Sequence, residues 1–288
     1  MKNKVLNCFP SDKNGTDWEL PELIRINLLP EEFSRRIFSP QVLNQGSVGS
    51  CVGQTVRNMF QDTEICNGIE LSPMWIYKKG KEYDYWVGED YSGTSISGAL
   101  EGLRKVGACK EEFYPYKKSS ENYDYLDGAE KDAAKRKIKA YYKISLKRTE
   151  EIKELLMNES LGISVKIHSD FYKINKNGVL KSSIEDYKKS PEQGGHAMTL
   201  IGWKLIDGKL YWELQNSWGV RWGDKGHCFI SDEMLKEIKT SDVYYIVLKT
   251  ENEETEFLKF SKKENKIIKF IKQKFFIILS FLKKLIGK

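Results

Sequence analysis

The hydrophobic pattern of this 288-residue chain changes period near Gly162, and that change limits the folds open to it. Before it, apolar residues recur at helical spacing. Val52, Val56, Met59 and Phe60 share one face of a helix predicted over residues 49–62, starting at or near Cys51, with Gln54, Arg57 and Gln61 on the other. Leu100, Leu103 and Val106 repeat the pattern over 96–106, and Thr149, followed by Glu150 and Glu151, predicts the N-cap of a third helix. After Gly162, residues 163–167 and 211–214 alternate, and 198–203 is an apolar strand candidate. Asp207 and Gly208, between two of these strands, signal a hairpin turn. Helices first and antiparallel strands second predict an α+β fold of two lobes with a cleft between them. The chain is long enough for two cores.

Charge divides the chain unevenly. The formal net charge is +6, but residues 257–288 carry ten lysines against one glutamate, a local +9 that leaves the rest near −3. The body therefore offers no basic surface that would call for a nucleic-acid partner. The expected division is a polar lead-in over 1–29, a globular body over 30–250, a charged linker over 251–264 and a basic, hydrophobic helix over 265–288. Within that last stretch Phe275, Phe276, Ile277, Ile278, Leu279, Phe281 and Leu282 form an apolar run. It is shorter than the roughly 20 residues a bilayer span needs, and lysines flank it on both sides. A helix lying on an anionic membrane surface fits this pattern, with a protein partner or the chain's own body as the other docking sites. The first residues contain lysines but no apolar run, which argues against a secretory signal. Five cysteines, an odd number, point to free thiols in a reducing compartment. Together these predict a cytoplasmic protein, peripheral at the inner face of the membrane. Nothing in the sequence speaks to oligomeric state.

Three separated patches hold the groups for acyl chemistry. Cys51 follows Gly49 and Ser50 at a predicted helix start, where the helix dipole favours a thiolate. His196 follows Gly194 and Gly195, where the backbone can pass close to a cleft. Asn216 ends the strand that pairs back through the hairpin, and its amide oxygen can accept an imidazole N–H and aim the ring. Gln45, six residues before Cys51, brings a side-chain amide that with the Cys51 N–H makes an oxyanion hole.

This set, with its flanking residues, resembles the papain-like cysteine peptidases over about residues 30–248. Asn216, Ser217, Trp218 and Gly219 followed by Trp222, Gly223, Asp224, Lys225 and Gly226 match what such enzymes carry after the amide. Leu71, Ser72 and Pro73, then residues 92–95 and 111–116, are similar to segments of the family's bacterial members. The resemblance implies the papain-like fold, with a helical lobe, a β-barrel-like lobe and the active site between them. It implies hydrolysis of peptide bonds through a thioester on Cys51, with no metal and no organic cofactor. By the same resemblance Trp218 shields the hydrogen bond between Asn216 and His196, and Gly93 and Gly195 border the bound substrate backbone. Two departures stand beside the nucleophile: Val48 replaces a cysteine and Val52 an aromatic of the usual run. Only about 50 residues precede Cys51, too few for the family's long helical propeptide, so restraint would fall to location, a partner or the short N-terminal segment. A transpeptidase or amide ligase and a non-catalytic binding protein of the same fold are the alternatives.

Other residues are expected to be structural. His168 follows a strand, and His227 stands where the family has an aromatic. Cys66, Cys109 and Cys228 show no metal-ligand spacing and are expected to pack. Trp75, Tyr77, Tyr83, Tyr85 and Trp86 are expected in the core, with a cleft wall as the alternative, and residues 135–139 on a solvated helix face.

Overall fold

A computed structural model describes residues 6–9, 18–19, 29–66, 68–86 and 91–248. The linker and basic helix expected at 251–264 and 265–288 lie outside the described residues. Three short strands come first: β1 (Cys8–Phe9), β2 (Trp18–Glu19) and β3 (Phe33–Ser34). The helical lobe follows, with α1 (Cys51–Gln61), α2 (Pro73–Tyr83), β4 (Thr94–Ser95), α3 (Ile96–Lys105) and α4 (Ala129–Ala133). The sheet lobe holds β5 (Ile138–Ile144), α5 (Thr149–Leu156), β6 (Leu161–His168), α6 (Ile184–Lys189), β7 (Glu192–Ile206), β8 (Lys209–Gln215), β9 (His227–Ser231), α7 (Asp232–Ile238) and β10 (Val243–Leu248). Its strands run in the order β2, β5, β10, β6, β7, β8, β9, with β3 added against β7. Apart from the parallel pair of β2 and β5, neighbours in this sheet are antiparallel. The architecture is the α+β, two-lobed arrangement that the change of period predicts.

Local chemistry accounts for several boundaries. Ser72 caps α2 by accepting the Trp75 N–H at 3.1 Å, with Pro73 in the first turn. Ser95 caps α3 in the same way through Gly98 N. The hairpin of β7 and β8 turns at Asp207 (φ 50°) and Gly208 (φ 74°), two left-handed positions in succession, as a type I′ turn requires.

Helix α1 departs from the amphipathic expectation, because every residue from Cys51 to Phe60 is buried. The helix is enclosed between α2 and the sheet, so its polar residues become internal ties rather than a wet face. Arg57 donates to the Gln41 carbonyl at 3.4 Å and to Asn58 Oδ1 at 3.1 Å, and Asn58 reaches Thr199 on β7 at 3.2 Å. At the far end of α1, Arg35 and Asp62 form a buried ion pair at 2.8 Å, and Arg35 also bonds the Leu156 carbonyl.

Two further expectations are corrected. Thr149 is the first helical residue of α5 and not its cap; Arg148 occupies that position and its guanidinium pairs with Glu151 instead. Residues 135–139 are not a helix face. Helix α4 ends at Ala133, Arg136 turns inward to Asp132 and the Ala108 carbonyl, and Ile138 already starts β5.

All five cysteines are free and buried. Burial pushes the Cys66 thiol up to about 11 and that of Cys109 up to about 12, as expected of packing residues. The His168 ring packs against that of Tyr187 at 4.9 Å, tilted by 42°, with Nδ1 2.7 Å from the Ser190 carbonyl, and His227 Nδ1 sits 3.2 Å from the Asp224 carbonyl. Trp75 and Tyr77 belong to the core. Tyr83, Tyr85 and Trp86 do not: they are exposed, and Trp86 packs on Phe9. Among the described residues no helix is long and apolar enough to cross a membrane.

Candidate active site

Cys51 opens α1, and the first turn contains no carboxylate, so the positive end of the helix acts on its thiol unopposed. Ser50, at the cap position, makes no side-chain bond to the helix. Its hydroxyl lies 2.5 Å from Tyr116 OH, which itself donates to the Gln45 carbonyl at 2.8 Å. A phenol has one proton, so Ser50 is the donor of the shorter bond.

Strand β7 brings the imidazole to the same place. Ala197 is buried in the same core cluster as Cys51, on the strand that packs against α1, which sets the preceding residue, His196, against that helix. His196 Nε2 is 2.7 Å from Asn216 Oδ1, and neither residue is more than 2% exposed. An amide oxygen only accepts, so the proton of a neutral ring sits on Nε2 and the basic lone pair on Nδ1. Asn216 Oδ1 also accepts the Ser217 N–H at 2.7 Å, which fixes the amide toward the ring. Trp218 lies over this pair, its ring 5.0 Å from that of His196. It is held by Tyr172, stacked at 5.3 Å, and by the edges of Phe171 and Trp222.

Gln45 is tied down on three sides. Its Oε1 accepts Ser217 Oγ at 2.6 Å, its Nε2 donates to the Val48 carbonyl at 3.0 Å, and its N–H bonds the Ser217 carbonyl at 2.9 Å. Imidazole, orienting amide and second side-chain amide are therefore linked through Asn216 and Ser217. The bracing by Ser217 and Tyr116 was not read from the sequence, although both lie within segments that carry the family resemblance. Each bond joins residues more than sixty positions apart, which no local pattern encodes. Behind this loop a cavity of about 480 Å3 is walled by Leu43, Asn44, Arg57, Glu111, Tyr116 and Trp218.

Residues 6–9 lie between Gly93 and Gly195. A Cβ on Gly93 would strike the Asn7 carbonyl, and one on Gly195 the Cys8 carbonyl. Gly93 also has φ +109°, which a side chain would strain. Thr94 N donates to the Asn7 carbonyl at 3.2 Å, and β1 runs parallel to β4. The lead-in is thus not simply a polar extension: Leu6 and Cys8 are buried. This cover also reverses one electrostatic expectation. Burial pushes the Cys51 thiol above its ordinary value, and the backbone hydrogen bonds from Ala197 and Asn7 offset this only in part.

The model of the papain family cysteine proteases matches residues 29–246. Cathepsin B-like CP2 of Giardia intestinalis is 26% identical over 200 residues, 65% of this chain and 63% of that protein. Chymopapain of Carica papaya is 27% identical over 206 residues, 70% of this chain and 54% of that protein. The matches thus span less than two thirds of these relatives' own length. Among solved structures, xylellain, a cysteine protease from Xylella fastidiosa, superposes with a TM-score of 0.73 over 87% of this chain and 99% of its own, at 21% identity. The likeness to xylellain concerns the fold. With the family match running through both lobes, from before α1 into β10, the chain belongs to the papain family of cysteine proteases.

Proposed function

We propose that the protein is a cysteine peptidase that hydrolyses peptide bonds of proteins or peptides through a thioester on Cys51. The observation that carries this reading is the 2.7 Å contact between His196 Nε2 and Asn216 Oδ1, made on the strand that packs against the helix opened by Cys51. That contact leaves Nδ1 as the base. In the acylation step Nδ1 takes the thiol proton and the sulfur attacks the peptide carbonyl carbon. The oxygen, now negative, is stabilised by the Gln45 side-chain amide and the Cys51 N–H. The imidazolium then protonates the leaving amine as the C–N bond breaks. For deacylation, Nδ1 removes a proton from water, hydroxide adds to the thioester, and the acid leaves as the sulfur recovers its proton. Asn216 keeps the ring in the productive tautomer, and Trp218 keeps water away from that hydrogen bond. Gly93 and Gly195 give the substrate backbone room on either wall.

The test is alkylation of the purified protein with an epoxysuccinyl peptide, the adduct located by mass spectrometry, together with turnover of a peptide amide. Labelling selective for Cys51, and reduced at least tenfold in His196→Ala, is the expected result. Equal labelling of all five cysteines would exclude an activated pair.

We further propose that the lysine-rich stretch over 265–288 brings the enzyme to the anionic inner face of a membrane. Its charge and its short apolar run support this reading. Liposome co-sedimentation of the full chain against a version ending at Glu256 tests it, and equal partitioning removes it.

A further inference from the structure

Two opposite charges line one cavity and do not meet. Arg57 and Glu111 both wall the space of about 480 Å3 beside the Gln45 loop, and among the described residues neither has an ion-pair partner. We propose that this cavity is a binding site for a small zwitterion, a free apolar amino acid or a dipeptide, with its carboxylate on Arg57 and its ammonium on Glu111. The proposal goes beyond the peptidase reading and does not depend on it.

Arg57 supplies the first half of the site. It is only 3% exposed, on the enclosed helix α1. Its Nη1 is taken up by the Gln41 carbonyl and Asn58 Oδ1, while its Nε–H has no hydrogen-bond partner among the described residues. The edge left over is that of Nε and Nη2, whose parallel N–H donors match the two oxygens of a carboxylate. Glu111 supplies the second half. Its Oε1 accepts the Tyr116 N–H at 2.6 Å, and its Oε2 is buried with no partner among the described residues. The ammonium next to it in the chain, that of Lys110, is bonded to Glu112 instead at 3.2 Å. The carboxylate is thus fixed by one oxygen and open at the other, where an ammonium brings three donors.

Electrostatics favours a guest with both charges. Burial draws the Arg57 guanidinium down to about 10 and pushes the Glu111 carboxyl up to about 7, so each charge is short of a partner. A zwitterion relieves both groups at once. A lone anion would pair with Arg57 and repel Glu111, and a lone cation would do the reverse. The rest of the wall suits an apolar side chain, with Val42, Leu43, Leu71 and Trp218 around it. The exposed members of the lining, Gln41, Glu70, Lys118 and Arg221, mark the mouth. The volume falls within the range of roughly 300–1,000 Å3 at which proteins take small molecules.

The site also has a route to the chemistry without touching it. Tyr116 is a wall of the cavity, receives Glu111 at its N–H and braces Gln45 and Ser50 with its hydroxyl. Trp218, another wall, lies over His196.

The experiment is isothermal titration calorimetry of the full chain at pH 7.5, in a Cys51→Ala background so that no probe is turned over. Leucine and leucylglycine are the zwitterionic probes. N-acetyl-leucine lacks the ammonium and isoamylamine lacks the carboxylate. One-site binding of either zwitterion is expected with Kd of about 1 mM or tighter. Arg57→Lys, which keeps the charge and loses the fork, and Glu111→Gln are each expected to weaken it about fivefold or more. The two truncated probes are expected to bind more weakly by a similar factor, with N-acetyl-leucine indifferent to Glu111→Gln. Should Arg57→Lys fail to fold by near-UV circular dichroism, Glu111→Gln and the truncated probes carry the test, because Glu111→Gln keeps the acceptor for Tyr116. Absence of saturable heat from both zwitterions up to about 10 mM would show a cavity holding water only and overturn the proposal. So would equal affinity for leucine and N-acetyl-leucine, or binding unchanged in Glu111→Gln.

Discussion

Ser217 Oγ donates to Gln45 Oε1 at 2.6 Å, and the Gln45 N–H returns a bond to the Ser217 carbonyl at 2.9 Å. A hydroxyl donor on Oε1 decides which way the amide faces, so the nitrogen is the end left to meet an oxyanion. Ser217→Ala removes that choice while leaving the thiol and imidazole untouched. Turnover of a peptide amide is expected to fall about 3–10-fold in kcat, the worth of one ordinary hydrogen bond. Alkylation of Cys51 by iodoacetamide forms no oxyanion and is expected to be unchanged. A matching loss in both reactions would place the serine's role in general packing.

Tyr116 OH links the Gln45 carbonyl (2.8 Å) to the Ser50 hydroxyl (2.5 Å), joining the two ends of the loop that runs from Gln45 to the residue before Cys51, the two proposed oxyanion donors. Tyr116→Phe keeps the ring and deletes only this bridge. The expected result is about a tenfold drop in kcat with KM changed less than twofold, and a small fall in Tm. A rise in KM at unchanged kcat would show that the bridge serves substrate binding instead.

Asn216 and the tautomer of His196 form a third test. Asn216→Ala removes the acceptor at 2.7 Å, so either ring nitrogen can carry the proton and the ring can turn. Burial without a partner makes the loss larger than for an exposed bond, about 2 kcal/mol or some 30-fold in kcat. Asn216→Asp keeps an acceptor, and is expected to retain more activity and to move the alkaline limb of the pH–rate profile upward by stabilising the imidazolium.

These predictions concern bonds of very different legibility. The start of α1 at Cys51 and the turn at Asp207 and Gly208 were readable because helix starts and type I′ turns are local events. The sheet lobe was readable as strands, but β6 is buried on both faces except at Lys166, and β7 is far longer than the apolar run at its centre. Tertiary partners decide such things. Arg57 read as a wet helix face because nothing nearby in sequence announces Gln41 as its acceptor. Arg136 read as solvated for the same reason, its partners being Asp132 and Ala108. The burial of Leu6 and Cys8 was not legible, since β1 is two residues long and its pairing with β4 joins positions over eighty residues apart. Short strands carry no periodicity to detect.

The last prediction uses pH. Burial raises the Glu111 carboxyl to about 7, against the Tyr116 N–H, which Glu111 Oε1 accepts at 2.6 Å, and against the charge of Arg57. A folded-state value above the ordinary 4.5 means that the folded protein binds more protons than the unfolded chain between about 4.5 and about 7. The contribution of this group is therefore fully present below pH 4.5 and is lost as pH rises through about 7. Glu111→Gln retains an oxygen for the Tyr116 N–H and cannot ionise. Urea midpoints of wild type and Glu111→Gln are expected to lie close together at pH 4.5 and to separate by pH 8, with the variant more stable by on the order of 1 kcal/mol after solvent screening. The other carboxylates are common to both proteins and cancel in the difference. A gap that is constant with pH would mean that Glu111 titrates alike in the folded and unfolded chains.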